Sequence, residues 1–185
     1  MTFQSTLNKK LTPYLQGANT RENPMDVLPL FAEDANCFAG GFVFSGTLPE
    51  TQVKGLSAGA LVVEGLALRT PYQSNFTGSN SNVYNIGREL TIMRKGYIAI
   101  KPTTASVKGQ DVVVHPTTGA IQTLVLTSAT TVAGTVDTTG SDVAQALDNG
   151  VATFAYTNMP AGYIFTGWKV NEGKSAGVIC EIYKL

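Results

Sequence analysis

A chain of 185 residues is long enough for one domain with a sizeable core, burying roughly 70% of the surface its unfolded form exposes. Its 13 basic and 13 acidic residues cancel, with no basic block or stripe, which argues against a phosphate-neutralising surface for nucleic acid. Charged residues make up 14% of the chain, against about 25% in an ordinary soluble domain. Thr, Ser, Asn and Gln therefore carry much of the polar surface, and a neutral exterior of that kind suits dense packing beside other subunits.

Residues 1–36 read differently from the rest. Phe3, Leu7, Leu11 and Leu15 are spaced four apart, as on one short helical face, but Pro13, Gly17, Pro24 and Pro29 interrupt the segment repeatedly. An extended or irregular arm is expected over 1–36, reaching up to ~120 Å at ~3.3 Å per residue. Such an arm either straps its own domain or lies on a neighbouring subunit. The opening MTFQSTLNKKLT has no apolar leader core, and no apolar run approaches the ~20 residues of a membrane span. No membrane partner is expected, and synthesis in a cytoplasm is.

From Phe38 the chain falls into short Val/Ile/Thr/Tyr-rich runs stopped by Gly, Pro or Asn. Strands are expected at 38–44 and, after a loop at 45–57, at 60–68, where Gly65 marks a bulge or bend. Residues 73–85 (QSNFTGSNSNVYN) are too polar for core and form a surface excursion. Consecutive strand pieces follow at 89–93 and 96–101, around Arg94-Lys95-Gly96. After the polar spacer 103–111 come a strand at 112–114, a turn at 115–119 and a half-exposed Thr/Val-rich stretch at 121–136. Residues 141–156 read either as a short helix capped by Ser141 or as a hairpin about Asp148-Asn149-Gly150, the hairpin being favoured. Two strand-like runs, 163–170 and 178–185, flank the turn 171–177 and close the chain. Strands of this length with turns every 8–12 residues predict an all-β sandwich or barrel. The domain organisation is an arm at 1–36 and one β domain at 37–185.

Chemistry-bearing residues are sparse. His115, the only histidine, sits where a strand enters a turn, and no G-x-S-x-G elbow accompanies it; it is read as structural. Cys37 and Cys180 belong to no metal-ligand spacing, and with one histidine they make no familiar zinc set. Cys180 is expected to pack as a small apolar group, with a Cys37–Cys180 disulfide left open. Glu64, Glu89, Asp111 and Glu181 are read as outward strand positions or partners of Arg69, Arg88 or Lys184, not as a hydrolytic pair. Asp137, Asp142 and Asp148 lack calcium-loop spacing, and Ala39-Gly40-Gly41 precedes a strand, so it is a turn and not a phosphate cradle. No catalytic residue, cofactor or metal is expected. On the strand at 163–170 the two-residue period puts Tyr163 and Phe165 on one face and Trp168 on the other. One of those faces is core, and the other aromatic could anchor an interface.

Four pieces of the sequence resemble the structural cement (capsid decoration) proteins of tailed bacteriophages. They are Phe3-Gln4-Ser5-Thr6 with Gly17-Ala18-Asn19 and Asn23-Pro24; the Gly-rich run 37–44 (CFAGGFVF); the run 89–102 (ELTIMRKGYIAIKP) with 108–114 and Thr117-Thr118-Gly119; and Thr166-Gly167-Trp168-Lys169-Val170 with Ala176-Gly177-Val178-Ile179. The stretch 134–159 is longer than the family pattern. The resemblance implies a jelly-roll or barrel-like β domain and a non-enzymatic virion protein, made in the host bacterial cytoplasm. Such a protein binds the outside of the assembled head and bridges major capsid protein subunits as a homodimer or homotrimer. The residues taken for capsid or inter-subunit contact are Phe3, Leu7, Leu11, Tyr14 and Arg21 in the arm, and Trp168. The rival reading is a glycan- or receptor-binding β module of a phage tail or fibre, using the loop 73–85 with Phe76 and Tyr84.

Overall fold

The computed structural model describes residues 15–21, 25–56, 62–69, 83–125 and 158–185. Its contacts divide the chain into two compact units, Met1–Val125 with Gly162–Leu185, and Leu126–Ala161. All the regular elements described lie in the first, and no helix occurs among the described residues. Nine strands follow in chain order: β1 (Asp26–Ala32), β2 (Phe42–Ser45), β3 (Gln52–Lys54), β4 (Val63–Ala67), β5 (Glu89–Ile100), β6 (Asp111–Val114), β7 (Ile121–Leu124), β8 (Ile164–Val170) and β9 (Cys180–Lys184). The expected all-β architecture is present.

The strand order β1-β3-β2-β4-β5, with β1 returning to pair with β5, makes a closed five-stranded barrel. Closure leaves no strand edge open on that barrel. The second half of β5 starts another sheet, β5-β9-β8-β6-β7. Beyond β5 the chain returns to the far edge of that sheet, where Thr103 donates its N–H to the Ile121 carbonyl at 2.7 Å and its hydroxyl to the same oxygen at 2.9 Å.

Two hydrophobic cores result from this arrangement, and β2 is the wall between them. Val43 packs with Leu30, Val53, Leu90 and Ile92, whereas Phe42 and Phe44 face Trp168, Val112 and Ile182. A strand buried on both faces reads as a continuous apolar run, as Phe42-Val43-Phe44 does. β5 serves both cores by changing parity. Leu90 and Ile92 belong to the first core, while Met93, Ile98 and Ile100 belong to the second. The switch coincides with a bulge: Val27 faces Met93 but Asp26 faces Lys95, leaving Arg94 without a β1 partner. One extra residue turns every following side chain to the other face.

β4 carries the matching irregularity, at the place the sequence suggested. Val43 faces Gly65 and Phe44 faces Val63, so Glu64 is the extra residue. A Cβ on Gly65 would collide with the Met93 carbonyl. The two bulged residues find each other: Arg94 pairs with Glu64 at 2.8 Å, and Glu64 also accepts the Ser45 hydroxyl at 2.6 Å.

Several expectations are adjusted. The run 89–100 is one twelve-residue strand, not two pieces, because the bulge at Arg94 absorbs the irregularity without ending the ladder. The segment expected to be an extended or irregular arm contains β1, which pairs with both β5 and β3 although Pro29 lies in its middle. Pro29 is an exposed position of that strand. The loop at 45–57 contains β3. Of the stretch 121–136, residues 121–124 form β7. The remainder of that stretch beyond Val125, together with the helix-or-hairpin question at 141–156, lies outside the described residues.

Candidate functional site

Upstream of β1, residues 15–21 form a clasp laid on the second half of β5. Gly17 donates its N–H to the Ala99 carbonyl at 2.8 Å, Ala99 donates back to Ala18 at 3.0 Å, and Thr20 donates to Tyr97 at 3.2 Å. The Gly17 carbonyl accepts the Arg69 N–H at 2.7 Å, so one residue ties β5 to the chain leaving β4. The crossing works only with glycine. Gly17 (φ 80°) passes over Gly40 (φ 74°), and a Cβ on either would stand 2.6 Å from the backbone nitrogen of the other.

The clasp ends on a polar cluster. Arg21 places its guanidinium 4.4 Å from the centre of the Tyr97 ring, and Tyr97 stacks on its cross-strand partner Tyr183 at 5.8 Å. The same Arg21 reaches Glu181 Oε1 at 3.0 Å. Glu181 is buried, with 5% of its side chain exposed, and also accepts the Asn171 amide. Burial opposes its ionisation. Thr20, Asn171 and Arg21 together outweigh burial and hold the carboxyl below the ordinary carboxylate range. The Thr20 hydroxyl is buried and lies toward this carboxylate.

The candidate contact residues divide sharply. Phe3, Leu7, Leu11 and Tyr14 lie outside the described residues. Arg21 is half-exposed but engaged within its own chain. Trp168 is fully buried among Phe44, Ile98 and Val112, so its side chain offers nothing to a partner. The face the sequence left open as interface is core, and Phe165, 39% exposed, is the aromatic on the outside. In the rival loop, Phe76 lies outside the described residues, while Tyr84 is buried and donates its hydroxyl to the Leu68 carbonyl. A tyrosine used in that way anchors a loop and cannot stack on a sugar.

Nothing catalytic assembles among the described residues. His115 lies edge-on to Tyr163 at 5.2 Å, and its turn is closed by backbone bonds to Gly119 and Ala120. Both thiols are free and buried, Cys37 in the barrel and Cys180 in the second core. Burial pushes Cys37 up to about 12 and raises Cys180 as well. The carboxylates have partners other than those expected: Glu64 takes Arg94, Asp111 takes Lys169 at 2.9 Å, and Glu181 takes Arg21. No group of three or more His, Cys, Asp or Glu residues is placed to hold a metal, and no helix is long and apolar enough to cross a membrane, both among the described residues. What sequence reasoning missed is Glu181 with Tyr97 and Tyr183; the signal was the Tyr-x-Glu spacing reversed on β9, where Glu181 and Tyr183 share a face.

A closed barrel, a second sheet and a clasped N-terminal lead define a structural β module that presents surfaces. The sequence matches the family described as structural cement protein (E217 gp24/Pam3 gp6) over residues 3–184. The chain therefore belongs to the phage structural cement proteins, capsid components located in the virion. A chain of the solved structure described as "The capsid of Myoviridae Phage XM1" superposes with a TM-score of 0.59. That match covers 99% of this chain and 97% of the other at 13% identity, a likeness of fold. The search of curated proteins found no match. None of these findings favours a tail or fibre module.

Proposed function

We propose that this cement protein binds the outer surface of the assembled head without catalysis and bridges adjacent major capsid protein subunits as a homodimer or homotrimer. The observation that carries the reading is the family match over 3–184, which spans clasp, barrel and second sheet together. The clasp adds a mechanical reason. By fixing residues 15–21 on β5 it gives the preceding residues a defined point of departure, so Phe3, Leu7, Leu11 and Tyr14 are the arm contacts that remain for the shell. Arg21 supports them from within, by holding the clasp.

The energetic logic is linkage. A protein that binds the assembled shell and not its dissociated subunits stabilises the shell by about 2.7 kcal/mol per site at a hundredfold excess over Kd. Many sites act together against the pressure of packaged DNA, and an oligomer that engages several subunits gains further through effective concentration. Individual contacts then need only be modest and wet, which suits a chain with few charges and many Thr and Asn residues.

Co-sedimentation with expanded heads lacking the protein, unexpanded proheads and free capsid subunits tests the reading. Saturable binding to expanded heads is expected, and removal of residues 1–14 is expected to weaken it strongly while leaving the fold intact. A larger deletion to residue 36 would remove β1 from the barrel and confound the result. Absence of binding to every form of the shell would overturn the proposal.

A further inference from the structure

The clasp is bound by backbone bonds along β5, by the Gly17 carbonyl that accepts the Arg69 N–H, and by a side-chain cluster at its end. The cluster is compact, and several elements contribute to it among the described residues. From the clasp come Thr20 and Arg21. From β5 comes Tyr97, under the guanidinium, and from β9 comes Tyr183, stacked on Tyr97. The turn before β9 supplies Asn171, whose amide bonds the carboxylate, and Asn171 and Glu172 both direct their N–H groups to the Glu181 carbonyl. Glu172 and Lys174 in that turn pair with one another. Lys184 at the end of β9 points its ammonium at the Thr166 carbonyl, 3.5 Å away. Arg21 is thus the cation hydrogen-bonded to the buried carboxylate, and Glu181 is the anion paired with Arg21.

We propose that the Arg21–Glu181 contact is an acid-sensitive latch: when Glu181 takes up a proton, the clasp at 15–21 leaves β5 while the barrel stays closed. The asymmetry comes from what each part depends on. The barrel also carries carboxylate pairs, Glu64–Arg94 and Glu33–Lys54, but they lie on a continuous backbone ladder and an apolar core, neither of which titrates in acid. The clasp has a short backbone contact, a glycine crossing and this charged anchor. Opening uncovers the Ala99 N–H and the Ala99 and Tyr97 carbonyls, a short free strand edge, and releases the fixed base of the N-terminal lead. The inference concerns the free protein and stands whether or not the lead docks on a shell.

The sign is set by the direction of the Glu181 shift. A carboxyl held below its ordinary value of 4.5 stabilises the closed clasp at and above that pH. The contribution is lost as pH falls through its lowered folded value.

Amide hydrogen exchange on the full chain, corrected for intrinsic rates, reads the latch directly. Between pH 7 and pH 3 the protection of Gly17, Thr20 and Ala99 is expected to fall about tenfold or more, as the loss of a charge-assisted hydrogen bond implies, while Leu90 and Ile92 keep theirs. Glu181→Gln is expected to show the lowered protection already at pH 7 and to be insensitive to acid. Arg21→Gln, which leaves the carboxylate in place, supplies the same reading should the first variant fail to fold. Unchanged protection in these variants, an acid response that persists in Glu181→Gln, or simultaneous loss at Leu90 and Ile92 would each overturn the proposal.

Discussion

The two halves of β5 show two ways of finishing a strand. Residues 89–95 lie between β1 and β4, inside a barrel that closes on itself. Residues 96–100 have β9 on one side, and on the other they bond the four-residue piece 17–20. In the first half every neighbour is a strand with its own share of the core. In the second, one neighbour is a short lead held by a glycine crossing and a polar cluster. The same strand therefore joins a closed ladder to one bordered by a short lead. In the proposed role, that division puts the closed barrel and the base of the lead on consecutive residues of one element.

The largest break in the comparison is in the second core. Trp168→Ala removes the largest buried side chain among the described residues, which packs against both β2 and β5, and is expected to cost about 3–5 kcal/mol in chemical denaturation. Leu90→Ala, in the barrel, is expected to cost about 2–5 kcal/mol. If Trp168 faced a partner, as its sequence position permitted, the free protein would lose little.

Next comes the crossing. Gly40→Ala forces a side chain into the left-handed backbone region and into Gly17, at a cost of about 1–2 kcal/mol from the backbone alone. Loosening of residues 15–21 is expected ahead of any unfolding, read as proteolysis after Arg21. Wild-type resistance at that bond in Gly40→Ala would show that the two chains part without consequence.

A smaller effect belongs to the aromatic floor of the cluster. Tyr97→Leu keeps the apolar bulk but removes the ring under Arg21, a contact worth about 0.5–1 kcal/mol at an exposed site. The expected outcome is a modest rise in exchange at Thr20 and a lower salt tolerance of the clasp. No change at Thr20 would assign the holding force to Glu181 alone.

Much of this was legible beforehand. Runs such as Phe42-Val43-Phe44, Val112-Val113-Val114 and the segment 163–170 announce strands because apolar β-branched and aromatic residues cluster between turn residues. Gly65 announced its bulge. β3 did not, since three residues with a single apolar member, Val53, carry too little pattern. β1 was hidden by Pro29 and by the arm-like composition around it, and its pairing with β5 is a long-range fact that local propensity does not contain. The clasp had its glycines in view, at 17 and 40, but which two glycines cross is decided only by the closed barrel. Trp168 was legible as an aromatic in a strand, and its side of the sheet was not, because both faces of β8 carry aromatic residues.

The last test needs no substitution, because each core carries its own thiol. Cys37 lies in the barrel and Cys180 in the second core, at the strand facing the clasp-bearing half of β5. Only the thiolate reacts, and a group pushed up to about 12 supplies about one part in ten thousand of it at pH 8. Both thiols are therefore expected to resist alkylation until the structure around them opens. The raised Cys37 value also makes the fold lose stability progressively as pH rises from the ordinary thiol value of 9.0 to about 12, because the unfolded chain ionises first. Under increasing denaturant at pH 8, Cys180 is expected to react before Cys37, by about tenfold in rate, since local opening follows the less completely closed part of a structure. Equal rates for the two thiols would mean that barrel and second sheet open as one cooperative unit, and the division along β5 would then be one of topology without a counterpart in stability.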